Sequence, residues 1–248
     1  MTEKIVMTEE KMREWINEHR NDEVMDLSNW DVSNVTNMRH MFDCCQSLKE
    51  LDLSSWDVSN VTDMNRMFQS CPSLKELNVS NWGVSKVTNM NGMFFDCFSL
   101  EKLNISNWDV SNVTDMEDMF NCCSSLEVLN LSNWDVSKVE YMSSMFDNCS
   151  SLEVLNLSNW DVPHIGTSGM FANCSSLKKV IVHDVSNDSL NTLIKNGLYS
   201  PNVIFDSCEQ TYDQLQHDFQ QLKTDYKELA EQYMLLRQYA DRLTQDKQ

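Results

Sequence analysis

Basic residues are scarce in this chain. Its 19 Lys and Arg stand against 38 Asp and Glu, a net charge of −19, with a pI near 4.5. A phosphate backbone is held by clustered cations that displace its counterions, and anionic bilayers attract the same charges. The balance argues against nucleic acid and acidic membranes as partners. Glycine and proline are also few, at 5 and 3, which excludes collagen-like and low-complexity disordered chains. No run of about eighteen apolar residues occurs, so no membrane insertion is expected. The opening MTEKIVMTEEKMREW carries acids where a signal peptide has its apolar stretch. The expectation is an intracellular chain, or one within a protein assembly such as a virion. A removed leader would instead place it on a bacterial cell surface.

Catalytic signatures are missing too. The five His (His19, His40, His164, His183 and His217) share no motif with a nucleophile or a metal ligand. No phosphate-binding glycine loop and no nucleophile elbow occur. The nine Cys form no C-x-x-C pair, so zinc is not indicated. Neither an enzyme nor a cofactor is expected.

What is present is repetition. Trp falls at 30, 56, 82, 108, 134 and 160, always 26 residues apart. Met-Phe pairs follow at 41–42, 67–68, 93–94, 119–120, 145–146 and 170–171, and Cys at 45, 71, 97, 123, 149 and 174. The last interval is one residue shorter, in the segment VPHIGTSGM. A fixed period of this length means a solenoid, whose units bury their apolar faces only against one another. Within a unit the apolar spacing of two to three excludes a long helix. Leu48, Leu51 and Leu53 spell L-x-x-L-x-L, a short parallel strand of the leucine-rich-repeat type. The segment V-S-x-V-T-x-M-x-x-M-F is expected to form the other side of the coil, extended or in helical turns.

This unit resembles the BspA-like leucine-rich repeats in their 26-residue form, N-W/F-D-x-S-x-V-T-x-M-x-x-M-F-x-x-C-x-x-L, over about Asp22 to His183. The resemblance implies a leucine-rich-repeat solenoid of about six coils with a short parallel sheet. Relatives of this type occur as bacterial surface and adhesion proteins, in protists and in large DNA viruses. The fold hosts many binding roles, so the resemblance alone assigns none.

Stacking turns each repeat position into a column with rungs about 5 Å apart. The Trp column is expected in the core or at a corner, where each indole buries a large area; an exposed aromatic ladder for a ligand is the alternative. The Cys column is expected as buried reduced thiols. Asp31, Asp57, Asp109, Asp135 and Asp161 follow the Trp, with Gly83 interrupting. They are expected to accept backbone N–H bonds in turns, calcium being the alternative. On the strand's outward face, one column reads Asp26, Asp52, Asn78, Asn104, Asn130, Asn156, and the next is all Ser, from Ser28 to Ser158. These near-constant columns are expected to pair amide and hydroxyl groups between coils. The third column varies: Val24, Glu50, Glu76, Lys102, Val128 and Val154. That column is the candidate protein-binding face. Repeated N-x-S/T acceptors on adjacent rungs, such as Asn78, Asn104 and Asn130, disfavour a eukaryotic secretory route.

Four regions are expected. Residues 1–21 form a capping helix, N-capped by Thr8 with Met12, Trp15 and Ile16 on one face. Residues 22–183 are the repeats. Residues 184–207 form a C-terminal cap, with SNDSLNTLIKNGL a short helix and Val203-Ile204-Phe205 a final strand. Residues 208–248 carry heptads: Tyr212, Phe219, Tyr226, Tyr233 and Ala240 alternate with Leu215, Leu222, Leu229, Leu236 and Leu243. These are a and d positions of a coiled-coil helix, expected to give a homo-oligomer or to attach to another protein. In a parallel dimer, Cys208 would meet its copy. The reading that follows is a structural or scaffolding protein with protein partners, an adhesin-type binding protein being the alternative.

Overall fold

The structure, a computed structural model, describes residues 4–162, 166–183, 185–195 and 204–206. The heptad residues from Tyr212 to Leu243, and Cys208, lie outside the described residues. The repeats form a parallel-sheet solenoid. Its elements in chain order are β1 (Ile5–Val6), α1 (Glu9–Glu18), β2 (Trp30–Asp31), β3 (Glu50–Asp52), β4 (Glu76–Asn78), β5 (Lys102–Leu103), β6 (Val128–Asn130), β7 (Val154–Asn156), β8 (Lys179–Ile181), α2 (Asn187–Lys195) and β9 (Ile204–Asp206). Strands β3–β4–β5 pair in parallel with Leu51, Leu77 and Leu103 in register, and β6–β7–β8–β9 continue the pattern. An isolated bridge between Val24 and Glu50 carries the ladder back into the first coil.

The recurring letters are the contacts that join one coil to the next. The indoles are buried and stack with centroids 6.0–6.5 Å apart where the ladder is regular. Burying an indole leaves an N–H to satisfy. Each ring from Trp56 on donates Nε1 to a carbonyl of the preceding coil: Trp56 to Leu27, Trp82 to Leu53, Trp108 to Val79, Trp134 to Ile105, Trp160 to Leu131, at 2.9–3.2 Å. The Cys column does the same with sulfur. Cys71, Cys97, Cys123, Cys149 and Cys174 each donate Sγ–H to the Phe carbonyl of the coil before, at 3.1–3.2 Å. A second ring ladder, Phe42 through Phe171, stacks at 5.3–5.7 Å.

The M-x-x-M-F side is a run of tight turns rather than a strand or helix. In the first coil, Met41 N–H closes on Met38 and Cys45 N–H on Phe42, while the N–H groups of Met38, His40, Phe42 and Cys44 reach carbonyls of the next coil. Alternating inward and forward bonds require two left-handed residues per coil. His40 and Cys44, Arg66 and Ser70, Gly92 and Asp96, Asp118 and Cys122, Ser144 and Asn148, Gly169 and Asn173 all have φ between 54 and 66°. None is β-branched, as that region demands.

The polar columns differ from expectation. Asn and Ser bond chiefly within their own coil, although Asn78 also reaches Asp52 across one rung. Asp26 Oδ1 accepts the Ser28 N–H and hydroxyl, and Asn156 Oδ1 accepts both from Ser158, at 2.7–3.1 Å. A side-chain oxygen two residues before an N–H closes a local turn, a nearer partner than one rung away. The Asp column behaves likewise: Asp31 Oδ1 takes the Ser33 N–H at 3.1 Å and its hydroxyl at 2.7 Å. Gly83 lacks this acceptor, its backbone has no positive φ, and an added Cβ would meet only Ser59 at 3.9 Å. Gly83→Asn should therefore raise stability in urea unfolding by about 1 kcal/mol, from one turn bond and reduced unfolded-chain freedom. Asn supplies the oxygen without adding a charge between Asp57 and Asp109.

The front of the solenoid meets helix α1. Thr8 Oγ1 accepts the Lys11 N–H at 3.3 Å, and Met12 and Ile16 are buried. Trp15 packs edge-on against Trp30 at 5.2 Å, topping the indole ladder. Glu9 Oε1 accepts the N–H groups of Thr36 and Asn37 at 3.4 and 3.0 Å, covering donors that later coils satisfy with one another. At the other end, the Ser189 hydroxyl of α2 donates to Asp161 Oδ1 at 2.8 Å and accepts the Val162 N–H at 3.0 Å.

Candidate protein-binding face

The face is built by the strand positions beside each buried Leu. Period-two alternation sends Leu51, Leu77 and Leu103 inward and their neighbours outward. Glu50, Glu76 and Lys102 stand in register on β3, β4 and β5, all exposed. Val24 extends the row and is 67% exposed. The other two members of the column do not face water: Val128 is 2% and Val154 6% exposed. Around them Asn130, Asn156, Ser132 and Ser158 are buried as well. On β6 and β7 this side of the sheet is buried, so apolar Val there fills buried space instead of marking a free surface, whereas Lys179, next in register on β8, is half-buried. The accessible part is the front half.

That half is charged. Lys102 is hydrogen-bonded to Glu76 across one rung, which raises its pKa. In the column just outside, Lys49 pairs with Glu23 at 2.7 Å and Lys75 with Glu101 at 3.9 Å. Such exposed pairs contribute little to stability; what they do is fix the pattern of charge. Glu50, between Val24 and Glu76, has no ion-pair partner among the described residues. Among those residues, no group of three or more His, Cys, Asp or Glu is arranged to hold a metal.

From the third coil on, the thiols of the Cys column are held neutral. Burial pushes Cys97 and Cys174 up to about 12 and raises Cys123 and Cys149 well above the ordinary range. A nucleophilic thiolate is not available there. The turn carboxyls move the other way. The hydroxyls of Ser33, Ser59 and Ser137, and then their backbone N–H groups, hold Asp31, Asp57 and Asp135 below the usual value. A depressed folded-state pKa stabilises the fold above the unfolded value, near 3.9, and that contribution is lost as pH falls through the folded one. The melting temperature should stay level from neutrality to about pH 5 and drop below about pH 4. Replacing Ser59 and Ser137 by Ala should make that drop shallower.

The indoles form no open ladder. Every ring of the column is at most 5% exposed. The strand column, not the aromatic one, is the accessible varied surface.

A family model described as Mycoplasma protein of unknown function, DUF285, matches residues 10–103 and again 73–185. The chain belongs to that family. The two matches in this DUF285 protein overlap and together follow the repeats from α1 to the last coil. No curated protein matches it. A solved structure similar to it is a chain of the octameric complex of Latrophilin 3 (Lec, Olf), Unc5D (Ig, Ig2, TSP1) and FLRT2 (LRR), 14% identical. The likeness covers 77% of this chain and 88% of that one at a TM-score of 0.31, too low to carry an inference. Among the described residues, no helix is long and apolar enough to cross a membrane.

Proposed function

We propose that this DUF285 protein is a non-enzymatic binding and scaffolding module. The front half of the strand face, Val24, Glu50, Glu76 and Lys102, docks a protein, and the heptads of residues 208–248 make a homo-oligomer. The observation that carries the reading is the contrast between columns. Trp, Phe, Cys and Leu recur because they bond coil to coil, whereas the exposed row on β3–β5 changes in charge from rung to rung. A flat, fixed pattern of charges gives specificity and steers encounter more than it adds affinity. Oligomerisation would multiply weak contacts into avidity.

Two measurements test the two halves. Light scattering should give the full chain a mass at least twice 28.9 kDa, and a chain ending at Asp206 the mass of a monomer. Equal monomeric masses rule out self-assembly through the heptads. A photo-crosslinking residue at position 50 should capture a protein that the same residue at position 109, off this face, does not. Equal capture at both positions rules out the face.

A further inference from the structure

A second surface feature is independent of the strand face. A groove of about 570 Å³ lies where the chain turns from the Cys column toward the strands. Phe98, Ser124, Ser150 and Ser175 line it, one residue from each of four successive coils, with Asn148 and Asn173 beside them. Phe98 replaces the small or polar residue of the other coils, Gln46 and Pro72 before it and serines after. It is 44% exposed, one of the few large apolar side chains that face water among the described residues. The packing of its own coil does not need that ring.

The polar lining is open to a ligand in part. The Ser124 hydroxyl donates to the Phe98 carbonyl at 3.3 Å, and Asn173 Nδ2 donates to Asn148 Oδ1 at 3.0 Å and Asp147 Oδ1 at 3.1 Å. The Ser150 and Ser175 hydroxyls are exposed and have no partner among the described residues. Backbone donors are not on offer. The N–H groups of Ser124, Ser150 and Ser175 close turns on Cys122, Asn148 and Asn173 at 2.8–2.9 Å. An extended peptide, which binds by main-chain hydrogen bonds to a free edge, finds none here. No charged side chain lines the groove, although the chain carries −19. The groove suits a neutral ligand with hydroxyls of its own and one apolar face.

We propose that this groove binds a neutral, extended oligosaccharide. One sugar ring lays its C–H face on Phe98, and the following rings offer hydroxyls to Ser124, Ser150, Ser175 and the amides of Asn148 and Asn173. A Ser hydroxyl both donates and accepts, which matches a sugar hydroxyl. Successive rungs, about 5 Å apart, are close to the length of one sugar ring, so the column presents one hydroxyl per ring. The volume is within the range of small-molecule sites.

Calorimetric titration of the full chain with cellohexaose and with chitohexaose tests this. Saturable binding of at least one, with glucose alone far weaker, is expected. Phe98→Ala should weaken it about tenfold and Phe98→Trp should keep it, while Ser150→Ala with Ser175→Ala should weaken it at least about fivefold. All of these side chains are exposed, so the melting temperature should not move. The proposal is overturned if neither hexasaccharide binds at millimolar concentration, if Phe98→Ala binds as tightly as the unaltered chain, or if a neutral Ser-rich peptide binds and neither sugar does.

Discussion

Trp108→Ala is expected to destabilise the solenoid by about 3–5 kcal/mol, out of a total that for a domain of this kind is about 5–15. The indole is 1% exposed and sits between Trp82 and Trp134 at centroid distances of 6.0 and 6.4 Å. Its removal leaves a cavity touching three coils and takes the Nε1 donor at 3.1 Å from the Val79 carbonyl, which keeps only the Trp82 N–H at 3.2 Å. In a solenoid each coil is stabilised only by its neighbours, so a break in the fourth coil weakens two interfaces at once. Urea unfolding followed by circular dichroism should show an earlier midpoint and a broader transition, as the front and rear coils begin to unfold apart. Trp108→Phe separates the two contributions. It keeps an aromatic ring for the stack but loses the donor, and should cost about 1–3 kcal/mol. Trp30→Ala is the comparison at the end of the ladder. That indole stacks on one column neighbour only, Trp56 at 6.0 Å, with Trp15 edge-on. It should cost clearly less than Trp108→Ala and leave the transition sharp. Equal losses at both positions would mean that the coils are not coupled through this column.

The sequence made the solenoid legible because every coil repeats the same apolar letters at the same interval. Trp56, Met67, Phe68, Cys71 and Leu74 are all buried where the column reading placed them. The turn side was harder to read. Its geometry is carried by two left-handed residues per coil, and the letters there, such as His40, Arg66 and Ser144, share only the absence of β-branching. The second left-handed position, four residues later, holds only Asn, Asp, Ser or Cys, a weaker signal than the apolar columns. The polar ladders were misread because period alone does not tell a bond to the next rung from a bond two residues along the chain; for Asn156 and Ser158 the short loop wins. The strand face was legible only in its front half. Val128 and Val154 carry the same register as Glu76 and Lys102, and their burial depends on what surrounds the rear coils, which a repeat pattern does not encode. The apolar character of those two residues was the available signal.

Gly166→Ala should be the most damaging single-atom change in the described repeats. The last coil reaches its Met-Phe pair with one residue fewer than the others. Gly166 comes back into the register of the preceding coil, with φ +72° and its carbonyl accepting the Met142 N–H at 2.6 Å as the Tyr141 carbonyl accepts that of Met116. A Cβ there would lie 2.2 Å from the Glu140 carbonyl oxygen and 3.1 Å from Tyr141 Cα. These are backbone atoms, with no side-chain rotation to relieve the contact. Holding a non-glycine residue in the left-handed region costs about 1–2 kcal/mol, and pushing the two coils apart adds about 1–3. Gly169→Ala isolates the first contribution. Its φ is +66°, but an added Cβ would meet nothing closer than Ser144 Oγ at 3.6 Å, and Ser144 itself tolerates φ 56° one coil earlier. Gly169→Ala should therefore cost about 1–2 kcal/mol, Gly166→Ala roughly twice that or more. Hydrogen exchange should locate the damage: the Met142 and Ser144 amides, which bond to the carbonyls of Gly166 and Ser168, should lose protection in Gly166→Ala, while Met90 and Met116 N–H keep theirs. Loss of protection spread evenly along the solenoid would show that the close approach at Gly166 is not where the last coil is held.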